Sequence, residues 1–159
     1  MSETGHILNN FKAKCETFKH IKRVNELLIR FSQELLNRAI EHDLSKLEPP
    51  EAELFESITE RLSTVKFDSP EYHDGLKQLG PALEHHYANN SHHPQHYKGG
   101  IKDMNLFDIC EMLLDWKASA ERQNGGNINM SLEKNQERFG YSDELKSILK
   151  NTLPFLVGF

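Results

Sequence analysis

An all-α fold is predicted by three features of the sequence. Apolar residues recur at three- and four-residue spacing over long stretches. The longest of these, Phe18 to Ile40, contains neither Gly nor Pro. No run of alternating β-branched residues, internal repeat or low-complexity tract offers strands or a repeat architecture instead. At 159 residues the chain has the length of one ordinary domain. The expectation is therefore a compact single-domain bundle over 1–159 with about five to seven helices.

The first element spans Phe18 to Ile40, where Val24, Leu27, Leu28, Phe31, Leu35 and Leu36 form an apolar stripe. His20 falls on that stripe, four residues before Val24 and eleven before Phe31. "HDLSKLEPPE" breaks the helix, and Pro49-Pro50 can open a second one over Glu51 to Leu62. The polar "STVKFDSPEYHD" reads as a loop. A third helix is expected from Tyr72 to Asn89, with Gly80-Pro81 starting or kinking it. Asn90 to Gly100 reads as a loop or helix end. Leu106 to Arg122 is helical again, and after the "QNGGNIN" turn a last helix is expected from about Ser131 to Leu153. That helix would pack on a motif-bearing core of about 18–122, and the tail "NTLPFLVGF" would cap the core or form a dimer contact.

Composition narrows the function. The hydrophobic fraction of 37% and the charged fraction of 27% describe a soluble globular protein. No apolar run approaches the roughly 20 residues that span a bilayer. The N-terminal "MSETGHILNNFKAKCETF" lacks a basic region followed by an apolar stretch, so a cytoplasmic protein is expected. Cys15 and Cys110 sit in separate helical patterns and predict neither a disulfide framework nor a zinc ribbon. Net charge is −5, with Lys and Arg scattered, which disfavours extended nucleic acid as a partner. A small anionic ligand held by a metal and a few basic groups remains open.

Five of the nine histidines lie in "EHHYANNSHHPQHY", residues 84–97. Alone, the pair His42-Asp43 is a weak metal signal, being one imidazole and one carboxylate at a helix end. His20 on an apolar face needs partners for both ring nitrogens, from a metal or from a carbonyl. His86, near the face of Leu79 and Leu83, and the pair His92-His93 can converge across a helix end. Asp108, Glu111 and Asp115 share a helix face; the first two read as a solvated acidic stripe. Asp115, beside Trp116 in "EMLLDW", is the carboxylate that wants a cation. Imidazole and carboxylate without thiolate suit one or two divalent ions, Fe, Mn, Co, Ni or Zn with Mg possible, rather than a structural thiolate zinc site. Such a set activates water.

The order "HIKRV", "HDLSK" and a later Asp115 resembles the HD metal-dependent phosphohydrolase superfamily. More narrowly, "HIKRV", "HDLSKLEPPE", "ALEHHYANNSHHPQHY" and "EMLLDW" resemble an uncharacterised HD-like family common in bacteriophages and bacteria. The resemblance covers about residues 18–120. It implies a helical bundle of the HD type and metal ligation by His20, His42, Asp43 and Asp115, with His86 and either His92 or His93 added in a dinuclear centre. His85 and His96 match less clearly. It implies that Lys46 meets phosphate oxygens or a carboxylate beside the metal. For hydrolysis, Asp43 is expected to bridge the ions or orient water, and a histidine of the 86–93 cluster that is not a ligand, with His93 the candidate, to protonate the leaving alkoxide. Asn89, Asn90 and Arg122 are candidates for substrate contact. The crowding of "HHYANNSHH" departs from a mononuclear nucleotidase.

The activity expected on this basis is metal-dependent hydrolysis of a small phosphorylated substrate, preferably a nucleotide, with no membrane partner and with a homodimer allowed. Two alternatives stand beside it: a dinuclear iron oxygenase of HD type, and a non-catalytic nucleotide- or partner-binding protein with a stabilising metal.

Overall fold

The computed structural model describes residues 3–66 and 69–156. Seven α-helices and four short 3-10 helices make up the described residues, with no strand among them. The chain divides into two compact units, Met1–Ile40 and Glu41–Phe159.

The described residues of the first unit, 3–40, are all helical. Helix α1 spans Glu3–Glu41 and begins well before the expected Phe18. Its polar residues pair along the helix at three- and four-residue spacing, Lys19 with Glu16, Arg23 with Glu26 and Arg38 with Glu34. Phe18, Ile21, Val24, Leu27 and Leu28 are exposed. His20 is exposed as well.

In the second unit, α2 (Glu51–Thr64), α3 (Pro70–Gln78) and α4 (Gly80–Asn89) follow a 3-10 turn at Leu44–Leu47. Two expectations shift here. The polar loop is shorter than its composition suggests, because α3 already starts at Pro70. The expected helix from Tyr72 to Asn89 is two helices. Gly80 opens α4 with Pro81 in its first turn, where the missing N–H costs nothing. Leu79 and Ala82 are fully buried at this junction, and Ile58 of α2 is buried as well.

Helix α5 (Leu106–Arg122) has the predicted bounds. Asn105 caps it: its side chain accepts from the Phe107 and Asp108 amides, while the Asp108 carboxylate accepts from the Asn105 amide. The expected last helix is again two, α6 (Ile128–Phe139) and α7 (Asp143–Thr152). Gly140 takes a left-handed φ of 66°, which ends α6, and Ser142 then caps α7 by accepting from the Leu145 amide. The two helices fold onto α5 around Met112, Leu113, Leu132, Tyr141 and Leu149, with Trp116 stacked on Phe139. Of the tail, residues 157–159 lie outside the described residues.

No described helix is long and apolar enough to cross a membrane. Cys15 and Cys110 are both half-buried and are not joined in a disulfide.

Candidate metal centre

Four segments of the second unit bring ionisable side chains together. Helix α1 ends at Glu41, and Asp43 adopts φ 58°, ψ 15°. This is the only left-handed non-glycine among the described residues. Asp tolerates that region better than most residues because its short side chain can bond locally. The turn halts the helix and carries the chain into Leu44–Leu47, so that Ser45 and Lys46 stand close to Asp43. Glu51 opens α2, a position that favours a carboxylate. His85 and His86 lie in the last turns of α4, and the loop after it carries His92 and His93. Glu111 and Asp115 are one turn apart on α5.

The donors form two sets that share Asp43. Oδ1 of Asp43 lies 3.2 Å from His86 Nε2 and 3.5 Å from His92 Nε2. His93 Nε2 lies 2.9 Å from His86 Nε2. Asp43, His86, His92 and His93 can thus each present one ligand atom to a single point. Donors held at about 2.0–2.2 Å from one ion are separated by about 3.3–3.6 Å in a tetrahedron and about 2.8–3.1 Å at the right angles of an octahedron. The observed separations fall within and between these ranges. The other oxygen, Oδ2, faces His42 Nε2 at 3.5 Å, and the same nitrogen lies 3.9 Å from Asp115 Oδ1. His42, Asp43 and Asp115 form the second set.

Within the first set, Asp43 Oδ1 and His92 Nε2 are buried and make no well-directed hydrogen bond. Buried polar atoms are nearly always satisfied, so two orphans aimed at one point fit a cation. The Nε2 pair of His86 and His93 adds to this. Two lone pairs at 2.9 Å repel unless a proton or a metal lies between them.

Two carboxylates, buried Glu51 and half-buried Glu111, fix the imidazoles from behind. Glu51, fully buried, accepts from His86 Nδ1 at 2.9 Å, from His85 Nδ1 at 2.7 Å and from the Ser45 hydroxyl at 3.1 Å. Glu111 Oε1 lies 2.8 Å from His42 Nδ1 and 3.0 Å from His92 Nδ1. A carboxylate at Nδ1 assigns the proton to that nitrogen and leaves the Nε2 lone pair for a metal, which is how outer carboxylates orient ligating histidines. The grouping of His42, His92 and Glu111 is therefore best understood as this hydrogen-bonded frame. Its nitrogens are the ones turned away from the shared Asp43. Asp108, fully buried, accepts from Ser91 Oγ and Tyr97 Oη, both at 2.7 Å, and so ties the loop carrying His92 and His93 to α5.

Burial alone would raise the Asp43 carboxyl, but the His86 contact and the Lys46 ammonium outweigh it and hold the group well below the usual carboxylate range. Burial, and then the neighbouring His92 and His86, push His93 down to about 2. The shift favours the neutral imidazole, which suits a metal ligand. His42 is raised, first by its hydrogen bond to Glu111 against the opposing burial, then by Asp43 and Asp115.

Of the residues expected at the site, His42, Asp43, His86, His92, His93 and Asp115 come together. Lys46 joins them through its ammonium, 2.6 Å from Asp43 Oδ2. Asn90 uses its amide inside the frame, donating to Ser45 Oγ and to the His86 carbonyl, both at 2.8 Å. Asn89 donates to the His85 carbonyl. Arg122 is exposed in the last turn of α5. His20 belongs to the first unit and to neither donor set. His96 bonds the Tyr87 carbonyl.

The expected solvated stripe of Asp108 and Glu111 is corrected: both are enclosed and bonded. Glu111 sits one turn before Asp115, and that spacing was its available signal. Glu51 had none, since only the fold brings the start of α2 against α4.

No curated protein and no solved structure matches the chain. Residues 9–154 match the model of a family of unknown function, DUF5662, and over that length the chain belongs to this family.

Proposed function

We propose that the protein is a metal-dependent phosphohydrolase acting on a small phosphorylated substrate, with a nucleotide as the preferred class. The observation that carries the metal is the pair of buried, unbonded atoms Asp43 Oδ1 and His92 Nε2 aimed at one point. The hydrolytic chemistry rests on the resemblance of "HDLSK" and Asp115 to the HD superfamily and on the suitability of an imidazole and carboxylate set for water activation.

A bound divalent ion supplies an acidified water and polarises a phosphoryl oxygen. The chain's own residues do the remainder. Asp43, ionised and with one oxygen in each donor set, is the group able to span two ions. Glu51 and Glu111 stand at Nδ1 of His86, His42 and His92, which orients the Nε2 atoms toward Asp43. Lys46, about a third exposed, brings a positive charge to the open side of the site and can meet an anionic oxygen.

A second reading uses the same centre for iron-dependent oxygenation, favoured by the four histidines in the two donor sets. A third keeps the ion as a structural element of a nucleotide- or partner-binding protein. Metal analysis of chelator-free protein, followed by phosphate release from a nucleotide panel and oxygen uptake by the iron-loaded form, separates the three. Phosphate release that His92→Ala abolishes supports hydrolysis. Oxygen uptake without phosphate release selects the oxygenase. Bound metal with neither activity and with tight nucleotide binding selects the binding protein.

A further inference from the structure

The two oxygens of Asp43 have different neighbours. Oδ1 faces the Nε2 atoms of His86 and His92, both buried, in a set of four protein donors that His93 completes. Oδ2 faces His42 and Asp115, whose side chains are half-buried, and it already carries a cation, the Lys46 ammonium at 2.6 Å. Four protein donors close a tetrahedral sphere, whereas three leave a position for water or substrate. The open set is thus the one whose shared oxygen is occupied by a lysine.

We propose that Lys46 is a built-in competitor for the second of two ions, so that the four-donor set fills first and the second ion binds only by displacing the Lys46 ammonium from Asp43 Oδ2. This inference rests on the metal-centre reading above. An ammonium and a divalent ion at contact distance on one carboxylate oxygen repel each other as a +1 and a +2 charge in a partly buried site, which weakens the binding of the ion while the ammonium stays. Lys46 is able to leave. Its stem is flexible and its side chain is 34% exposed. Its ammonium also lies over the Phe55 ring, 5.3 Å from the centroid, and the ring face provides a second partner for the charge. The first set needs no such exchange, since its carboxylate oxygen is Oδ1 and its other donors are imidazole nitrogens. Displaced, the ammonium remains beside the outer position, where an anionic ligand oxygen would meet it.

The test is a Co²⁺ titration of metal-free full-length protein, followed by visible absorption and by equilibrium dialysis, for wild type, Lys46→Met, Lys46→Gln and Lys46→Arg. Wild type is expected to bind one Co²⁺ tightly with intense four-coordinate absorption, and a second at least about tenfold more weakly. Lys46→Met and Lys46→Gln should leave the first step within about twofold and tighten the second by about tenfold or more. Lys46→Arg, which keeps the charge, should preserve the weak second step. An unchanged second step in the two neutral variants overturns the inference while leaving the metal centre intact. Equal tightening of both steps also overturns it, since that is a general charge effect and not competition at Oδ2. If wild type binds no Co²⁺ at all, the metal-centre reading fails and takes the inference with it.

Discussion

Helix α5 has two buried faces that are held in different ways. On one, Met112, Leu113 and Trp116 pack against α6 and α7. On the other, Asp108, Glu111 and Asp115 meet Ser91, Tyr97, His42 and His92. The apolar face is held by area removed from water and by close packing, neither of which requires a particular partner atom. The acidic face requires a donor for every carboxylate oxygen, because an ionised group taken from water without one is costly. One helix thus joins a core that tolerates similar shapes to a centre in which each group depends on a named neighbour.

Truncating the apolar face should produce the largest effect on stability. Met112 is fully buried, and Met112→Ala should cost about 2–5 kcal/mol in urea unfolding, by lost transfer energy and the cavity left behind. Added metal should raise the stability of this variant and of wild type by the same increment. A larger increment in the variant would mean that the two faces are coupled through the helix.

Asp108→Ala should come next, at about 1–3 kcal/mol, because it removes the carboxylate that accepts from the Ser91 and Tyr97 hydroxyls and from one N-cap amide. Faster amide exchange across residues 91–97, with the α6 and α7 amides unchanged, is the expected signature. Exchange that rises equally in all of them would show that Asp108 supports the whole unit and not the histidine loop alone.

Glu111→Gln keeps the shape of the side chain but weakens its hold on His42 and His92. On the metal-centre reading, the expected outcome is an approximately 10–100-fold loss of metal affinity by equilibrium dialysis. The metal-free variant should change little in thermal unfolding by comparison. A large stability loss with unaltered metal affinity would make Glu111 a packing residue instead.

The smallest effect belongs to charges outside both faces. Exposed Glu133 on α6 is lowered below its ordinary 4.5, first by Lys150 and then by Lys146 of α7. A carboxyl whose folded pKa is depressed adds stability above its unfolded pKa and loses it as pH falls through the folded value. Glu133→Gln should therefore lower the melting temperature slightly at neutral pH, by an amount that vanishes in acid and is reduced by salt. A difference that persists at low pH would show that Glu133 acts through packing.

Much of the fold was legible because it is local. The bounds of α5 follow from its apolar spacing and from Asn105 in the cap position. The division at Gly140 was legible in principle too, since a glycine followed by Ser142 is a stop and a start; the continuous spacing of apolar residues across it concealed the break. Among the site residues, Asp43, His86 and Asp115 could be singled out because each places an ionisable group in an apolar or helix-ending setting. Glu51 and Asp108 could not be, since a glutamate after two prolines and an aspartate in a first helical turn look the same whether they face water or an imidazole.

The sequence by itself determined the helical class, the concentration of imidazoles and the His42-Asp43 break, because periodicity, composition and turn chemistry act over a few residues. Only the tertiary structure decided which nitrogen each histidine presents, that Glu51 and Glu111 stand behind them, and that the two oxygens of Asp43 face different partners. Those outcomes rest on contacts between residues far apart in sequence, from 19 positions for His92 and Glu111 to 69 for His42 and Glu111, and no local preference carries information over that distance.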